Sequence, residues 1–171
     1  AVVISNSAFE GDGSVKGINK DSSKLYLPDS DGIITFNEQI ELFYSFTIPS
    51  GITLNINGGL YIKDGVELNN EGVLQVLDTG VLVDSNQSES GGLTGDGSWI
   101  KSGILLTNVP DSAIANSWGN IVKSNVTLFK NVGIPNADIT INTNCTLKLD
   151  KDATYNNGNR TININSNATL I

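Results

Sequence analysis

The chain has 171 residues, 39% of them hydrophobic, and a net charge of −8. Its 10 basic residues form no run or stripe, which argues against nucleic acid and anionic membranes as partners, since both attract clustered positive charge. No apolar run approaches the about 20 residues that span a bilayer. Histidine is absent and Cys145 is the single cysteine, so the commonest general base is missing and no intramolecular disulfide forms.

Residues 11–45 and 95–131 are less regular than the stretches that follow them. Residues 1–9 predict a short strand and a turn, and they lack the basic start and long apolar segment of a signal peptide. Ala1 is either an end left by signal cleavage or a start exposed by methionine removal, and the sequence leaves both open. Asp29 and Asp31 have part of the spacing of a calcium loop. The first ligand position would be Leu27, so a solvated Asp–Gly turn is the better interpretation.

The most regular stretch, residues 46–83, reads FTIPSGITLNINGGLYIKDGVELNNEGVLQVLDTGVLV. Apolar side chains alternate with polar ones in short bursts, which predicts strands with one buried face. The bursts are broken at NG, DG, NN and TG pairs, whose residues tolerate the left-handed backbone of a tight corner. Very short strands joined by regular corners indicate a chain that winds into coils.

Much of the chain repeats itself in a second copy further along. The sequence GDGS occurs at 11–14 and at 95–98, and residues 52–70 match residues 139–157 without a gap. Such repeats predict two tandem copies of one module, although a shared solenoid composition also produces self-similarity. The predicted domains are residues 1–84 with regular coils at 46–84, a Ser/Gly-rich joint at 85–92, and residues 93–171 with regular coils at 126–171.

A finer repeat lies within each module. ITINTNCTL begins at position 139 and ININSNATL at position 162, so the offset between them is 23. Apolar residues of the first module recur at an offset of 22 in two pairs: Leu54 with Val76, and Leu60 with Leu82. We therefore predict an all-β fold, a parallel β-helix or β-solenoid arranged as two tandem homologous modules. Its coils of three short strands and three corners would hold about 22–23 residues each.

Two sets of side chains are candidates for structural roles. Asparagine amides on successive coils can stack into ladders, and the expected members are Asn55, Asn57, Asn142, Asn144, Asn163 and Asn165. Aromatic and end-strand side chains can anchor an interface, and the candidates are Phe43, Tyr44, Trp99, Trp118, Leu170 and Ile171. The aromatic ones serve equally well as core, and the sequence leaves both roles open.

The C-terminal strand of the second copy is apolar and has no polar cap. Residues 161–171 match residues 73–83, where the first copy also stops. An uncapped strand in a stacked sheet exposes unpaired N–H and C=O groups. We expect either another subunit or further chain to cover it.

The sequence offers no convincing catalytic pair. Glu38 and Glu41 would lie on opposite faces of a strand, whereas glycoside cleavage needs two acids on one face, about 5–10 Å apart. Asp150 and Asp152 share a face, but neighbouring lysines indicate a mixed-charge surface. We expect no catalytic residue, no metal and no cofactor.

Residues 48–76, IPSGITLNINGGLYIKDGVELNNEGVLQV, resemble the coils of parallel β-helix proteins. The style is similar to that of bacteriophage tail fibres, tailspikes and other virion appendages, and of bacterial surface adhesins. The resemblance covers residues 46–84 and 126–171. The chain differs from long adhesins in being short and duplicated, and from enzymatic tailspikes in lacking the length for a deep carbohydrate groove.

This resemblance implies stiff virion or extracellular structure, frequently as homotrimers. The expected function is that of a structural, self-assembling virion protein: a phage appendage, decoration or tail component that contacts other virion proteins. The alternative is an adhesin or carbohydrate-binding β-solenoid on the bacterial cell surface. Either type of protein can meet a host surface glycan.

Overall fold

The described part of the protein is a parallel β-solenoid. A computed structural model describes residues 4–5, 25–26, 28–86, 91–107, 114, 117–128, 138–151 and 159–171. These residues lie almost entirely in short strands and turns, and parallel sheets stack as a solenoid. This confirms the all-β β-solenoid that the alternation of apolar residues predicts. Over the same residues no helix is long and apolar enough to cross a membrane.

The strands form two stacks, which we call the first and the second stack. A short antiparallel pair, β1 (Ile4–Ser5) and β2 (Leu25–Tyr26), precedes them. The first stack consists of β3 (Ile33–Phe36), β4 (Gln39–Leu42), β5 (Phe46–Ile48), β6 (Thr53–Ile56), β7 (Gly59–Ile62), β8 (Leu68–Asn70), β9 (Val73–Val76), β10 (Val81–Asp84), β11 (Leu93–Thr94), β12 (Ser98–Lys101) and β13 (Ile104–Thr107). Its sheets have the orders β3-β6-β9-β12, β4-β7-β10-β13 and β5-β8-β11. Each turn of the chain therefore adds one strand to each sheet.

Strand registers test the predicted spacings. Leu60 lies opposite Leu82, which confirms that pair. The pairing of Leu54 with Val76 is wrong, because Leu54 lies opposite Leu74 and Val76 lies opposite Ile56, so the offset between these two strands is smaller. The corners between β6 and β9 hold fewer residues than those between β7 and β10. The number of residues between stacked strands therefore differs from one sheet of the solenoid to the next.

Glycines at one corner column allow the coils of the first stack to approach closely. Gly58, Gly80 and Gly103 directly precede β7, β10 and β13. A Cβ at Gly80 would lie 2.2 Å from the carbonyl oxygen of Ile56 on the coil before it. A side chain at this position would therefore collide with backbone.

The second stack has two described sheets. Its strands are β14 (Asn120–Val122), β15 (Val126–Leu128), β16 (Ile139–Ile141), β17 (Thr146–Leu149), β18 (Ile162–Ile164) and β19 (Thr169–Leu170). The sheet orders are β14-β16-β18 and β15-β17-β19. Ile139 lies opposite Ile162 and Leu147 opposite Leu170, which confirms the finer repeat in this stack.

The two stacks share β10 and β13, whose side chains are buried on both faces. Leu82 and Leu105 point into the core of the first stack. Their neighbours in the same strands belong to a second core with the inward residues of β14–β17: Val81, Val83, Ile104 and Leu106. The Asn120 side chain joins the stacks by accepting a hydrogen bond from the Leu105 N–H (3.0 Å) and donating one to its C=O (2.9 Å). The outer face of a first-stack sheet thus serves as a wall of the second stack.

The joint at 85–92 does not divide the sheets. The strands β11–β13 follow it, and they pair with β8–β10 of the first stack. Asp84 closes this segment, because its carboxylate accepts hydrogen bonds from the N–H groups of Asn86 (3.1 Å) and Gly92 (2.8 Å). The starts of β7 at Gly59 and β17 at Thr146 have the same offset as the matching ranges 52–70 and 139–157. The module boundaries themselves stay a prediction.

Candidate assembly surface

The surface of interest is the last described rung of the second stack, β18 with β19, which we call the end rung. Ile164 continues the inward column of Ile141, and Leu170 continues that of Leu147. Ile141 and Leu147 are fully buried, whereas Ile164 is 52% exposed and Leu170 39% exposed. The apolar interior of the second stack is therefore open at this rung.

The backbone of β18 also has a free edge. On its paired side, Thr161 C=O accepts a hydrogen bond from Ile139 N–H (2.9 Å), and Asn165 N–H donates one to Ile141 C=O (3.1 Å). Successive residues of a parallel strand direct their backbone groups to opposite edges. The N–H and C=O groups of Ile162 and Ile164 therefore point away from β16, toward an edge with no partner strand among the described residues.

The end rung carries almost no charge. Residues 159–171 read NRTININSNATLI and hold one ionisable side chain, Arg160, in a protein of net charge −8. Edge strands are commonly protected from pairing by charged side chains, especially lysine. Here the exposed side chains between the apolar ones are asparagine, serine and threonine, which do not repel another strand.

Both ends of the first stack, in contrast, are covered by aromatic side chains. At its first coil, Tyr26 packs edge-on against Phe36 with ring centres 4.8 Å apart. At its last coil, Trp118 is 2% exposed, and its Nε1–H donates a hydrogen bond to the Gly103 carbonyl (3.0 Å). Lys101 Nζ lies 5.6 Å from the centre of the same indole, and burial lowers the pKa of this lysine.

The structure brings together only two of the predicted interface residues, Leu170 and Ile171, which are both exposed at the end rung. Tyr44 is exposed at a corner of the first coil, where Lys63 Nζ lies 5.2 Å from the ring centre of half-buried Phe43. Trp99 packs partly against the first core.

Trp118 lies inside the first core, so it is not available at the surface. Ile164 is the residue that sequence reasoning missed. The finer repeat carries the signal for it, because that repeat aligns Ile164 with buried Ile141.

One amide–amide hydrogen bond lies at a corner of the first stack, with a threonine on the next coil. Asn57 Nδ2 donates a hydrogen bond to Asn37 Oδ1 (2.9 Å), and Thr79 Oγ1 donates one to Asn57 Oδ1 (2.5 Å). Asn55 Oδ1 is buried without a partner, and Asn144 has a φ of 62°, as a corner residue. The other expected members lie on strand β18 or at corners of the second stack: Asn142, Asn163 and Asn165. The ladder as a set of six stays a prediction.

An open cleft of about 400 Å³ lies beside that corner. Its lining is mainly amide, hydroxyl and carboxylate groups: Asn57, Gln75, Leu77, Asp78, Thr79 and Ser102. Lys123 of the second stack approaches Asp78 at 3.9 Å. These groups can donate and accept hydrogen bonds to a neutral polar ligand.

Other candidate sites have structural explanations where they are described. Asp29 Oδ1 accepts hydrogen bonds from the N–H groups of Asp31 and Ile33, both at 2.9 Å, which is a side-chain-stabilised turn. Asp152 lies outside the described residues. Within the described ranges, no three acidic, histidine or cysteine side chains are placed to hold a metal ion.

Comparison with protein-family models, curated protein sequences and solved structures finds no match to this chain. Proposals about its function therefore rest on the geometry above and on the resemblance of its coils in sequence.

Proposed function

We propose that this protein is a structural, self-assembling virion protein without catalytic activity, such as a phage appendage, decoration or tail component. Its partners are further copies of itself, as a homotrimer or larger assembly, and other virion proteins. The observation that carries self-assembly is the end rung, where an apolar interior, a free strand edge and a near-absence of charge occur together. The virion setting is supported by the resemblance of the coils to those of virion appendages.

Three properties of the end rung favour docking with another protein. Exposed apolar surface is stabilised by about 25 cal/mol for each Å² removed from water. Unpaired backbone groups on an edge strand are a ready template for another strand. Parallel pairing of β18 with β16 and of β19 with β17 holds both features in place. Little ordering entropy would therefore oppose association.

The mass of the purified chain in solution tests self-assembly directly. Light scattering across a concentration series is expected to give a multiple of the 18.1 kDa chain mass. A protein that stays a monomer at every concentration would contradict the proposal.

A second candidate function, carbohydrate binding as a bacterial surface adhesin, is favoured by the polar cleft. Sugars present hydroxyl groups, which pair with the amide and hydroxyl groups of Gln75, Asn57 and Thr79. Screening against neutral oligosaccharides, followed by calorimetry, tests it. Gln75→Ala should then weaken binding at least about fivefold, the loss of about 1 kcal/mol of hydrogen bonding.

Thr35→Ala is the matched control for that experiment. Thr35 and Gln75 both lie opposite Asn55 in the same sheet, on its outer face, but Thr35 is outside the cleft. Its substitution should leave binding unchanged. Equal losses from both substitutions, or no binding at all, would count against the cleft as a sugar site.

A further inference from the structure

We infer that β18 pairs in antiparallel orientation with β18 of a second copy of this chain, about a two-fold axis that passes beside Asn163. The inference rests on the proposed self-assembly and names the surface and symmetry through which it occurs. Assemblies built this way hold an even number of chains, either two single chains or two trimers joined end to end.

The backbone of β18 is suited to such pairing. Its free N–H and C=O groups belong to Ile162 and Ile164, one residue on each side of Asn163. In an antiparallel ladder, two opposed residues exchange both of their hydrogen bonds, and the next pair along exchanges none. Ile162 would exchange bonds with the partner's Ile164, and Ile164 with the partner's Ile162. The pair between them is Asn163 and the partner's Asn163, on the two-fold axis.

Side chains agree with this register. Ile162 and Ile164 both continue buried columns of the second stack, Ile139 and Ile141, so they face the interior of the rung. Antiparallel pairing places opposed side chains on the same face of the sheet. Half-buried Ile162 and exposed Ile164 of the two copies, with Leu170 beside them, would therefore cover one another. Both Asn163 side chains would lie on the outer face, close enough for an amide–amide hydrogen bond.

Charge favours a second copy over a foreign partner. Two chains of net charge −8 repel each other over most of their surface, and the end rung with its single Arg160 is a place where they can meet without that repulsion. A strongly basic partner would find no complementary charge there, and a strongly acidic one would find only Arg160.

The first coil of the first stack favours an end-to-end contact over a head-to-tail one. The inward residues of its strands β3 and β4 are at most 3% exposed, namely Ile34, Phe36, Ile40 and Leu42, and Phe46 of β5 is half-buried. Tyr26 packs against this coil. The open end rung of one copy would therefore find a mostly closed core at the first coil of another. A two-fold contact between identical end rungs satisfies both copies at once.

Disulfide trapping tests the symmetry. Asn163 is exposed, so Asn163→Cys should not disturb the fold. Opposed residues of a non-hydrogen-bonded antiparallel pair have Cα atoms about 4.5 Å apart, within the about 4.4–6.8 Å range of disulfides. Mild oxidation should convert more than half of the chains to a covalent dimer on a non-reducing gel.

Ile121→Cys is the matched control for trapping. Ile121 is 39% exposed and occupies the same outward column on β14, two strands from the free edge. Its cross-linking should not exceed that of the unsubstituted chain, whose Cys145 is buried. Equal cross-linking at positions 121 and 163 would overturn the two-fold contact.

Lysine substitutions test whether assembly uses the β18 contact, separately from whether the protein assembles at all. Ile164→Lys places a charge on each side of the contact between the two copies, and it should halve the mass measured by light scattering. Ile121→Lys should leave that mass unchanged. If Ile164→Lys leaves an even-numbered assembly intact, or if the native mass is that of three chains, the inferred contact is wrong while self-assembly stands. If the native chain is monomeric throughout, both proposals fail, and the edge belongs to another occupant, such as a following rung of a longer chain.

Discussion

The two stacks use the same strand pattern and differ in how their ends are covered. In the second stack, β16 reads ITI and β18 reads INI, in register with each other. Ile141 of β16 is fully buried, and its counterpart Ile164 is half exposed. The inward residues of β3 and β4 on the first coil of the first stack are all buried, with Tyr26 packed against that coil. Whether an inward side chain of this solenoid is buried therefore depends on what packs against its coil. The alternation of apolar residues within the strand does not determine it.

The stacks also differ at one corner, which precedes β10 in the first stack and β17 and β19 in the second. The first stack has Gly80 there, with no room for a Cβ against the preceding coil. The aligned positions of the second stack are Cys145 and Ala168, whose side chains belong to the second core. A corner with a small side chain adds apolar contacts, whereas a glycine corner brings the coils closer together. The second stack thus draws part of its core from its corners and part from the outer face of the first.

Removing the aromatic cover from the first stack should have the largest effect. Trp118→Ala deletes a nearly fully buried indole and its hydrogen bond to Gly103, which should lower the free energy of unfolding by about 3–5 kcal/mol. Urea denaturation followed by circular dichroism measures this. The opened coil should also bind a hydrophobic dye.

Trp99→Ala is the control for Trp118→Ala. Trp99 is an indole of equal size on β12 that packs only partly against the same core. Trp99→Ala should lower the free energy of unfolding by less than half as much as Trp118→Ala. Equal losses from the two substitutions would mean that indole size matters and that closing the coil end does not.

The sequence predicted the coils well and their ends poorly. Alternation is a property of each strand, so residues 46–83 were enough to predict the solenoid, and the finer repeat placed Ile162 opposite Ile139. The cover from Trp118 depends on contacts between residues far apart in the chain, so the sequence left its role open between interface and core. The burial of β10 and β13 on both faces follows from the second stack lying against them. The continuous apolar runs at residues 81–83 and 104–106 are a local signal for burial on both faces, but they do not show which strands pack there.

The open rung should tolerate a truncation that the closed rung does not. Ile141→Ala should lower the free energy of unfolding by about 2–5 kcal/mol, because it leaves a cavity in a filled core. Ile164→Ala removes the same atoms from a side chain that is half in water, and it should cost about 1 kcal/mol in the monomer. Denaturation at low protein concentration makes the comparison. If Ile164→Ala costs as much as Ile141→Ala under those conditions, the end rung is already covered within one chain.

The glycine corner should show a smaller effect than the loss of Trp118 or the truncation of Ile141. Gly80→Ala adds a Cβ 2.2 Å from the Ile56 carbonyl oxygen and 2.9 Å from Val76 Cγ1, so the coils must separate locally. Overpacking of this kind costs about 1–3 kcal/mol. Gly119→Ala is the control, since no atom lies within 4 Å of its added Cβ and its backbone needs no glycine, and its stability should change by less than about 0.5 kcal/mol. Ala168→Gly completes the comparison. Removing this methyl group from a corner of the second stack should destabilise the protein slightly, and adding one at Gly80 of the first stack should destabilise it more.

Thermal unfolding of the three variants measures the differences. If Gly80→Ala is as stable as Gly119→Ala, the first-stack corners have room for side chains, and the contrast between the two kinds of corner is wrong.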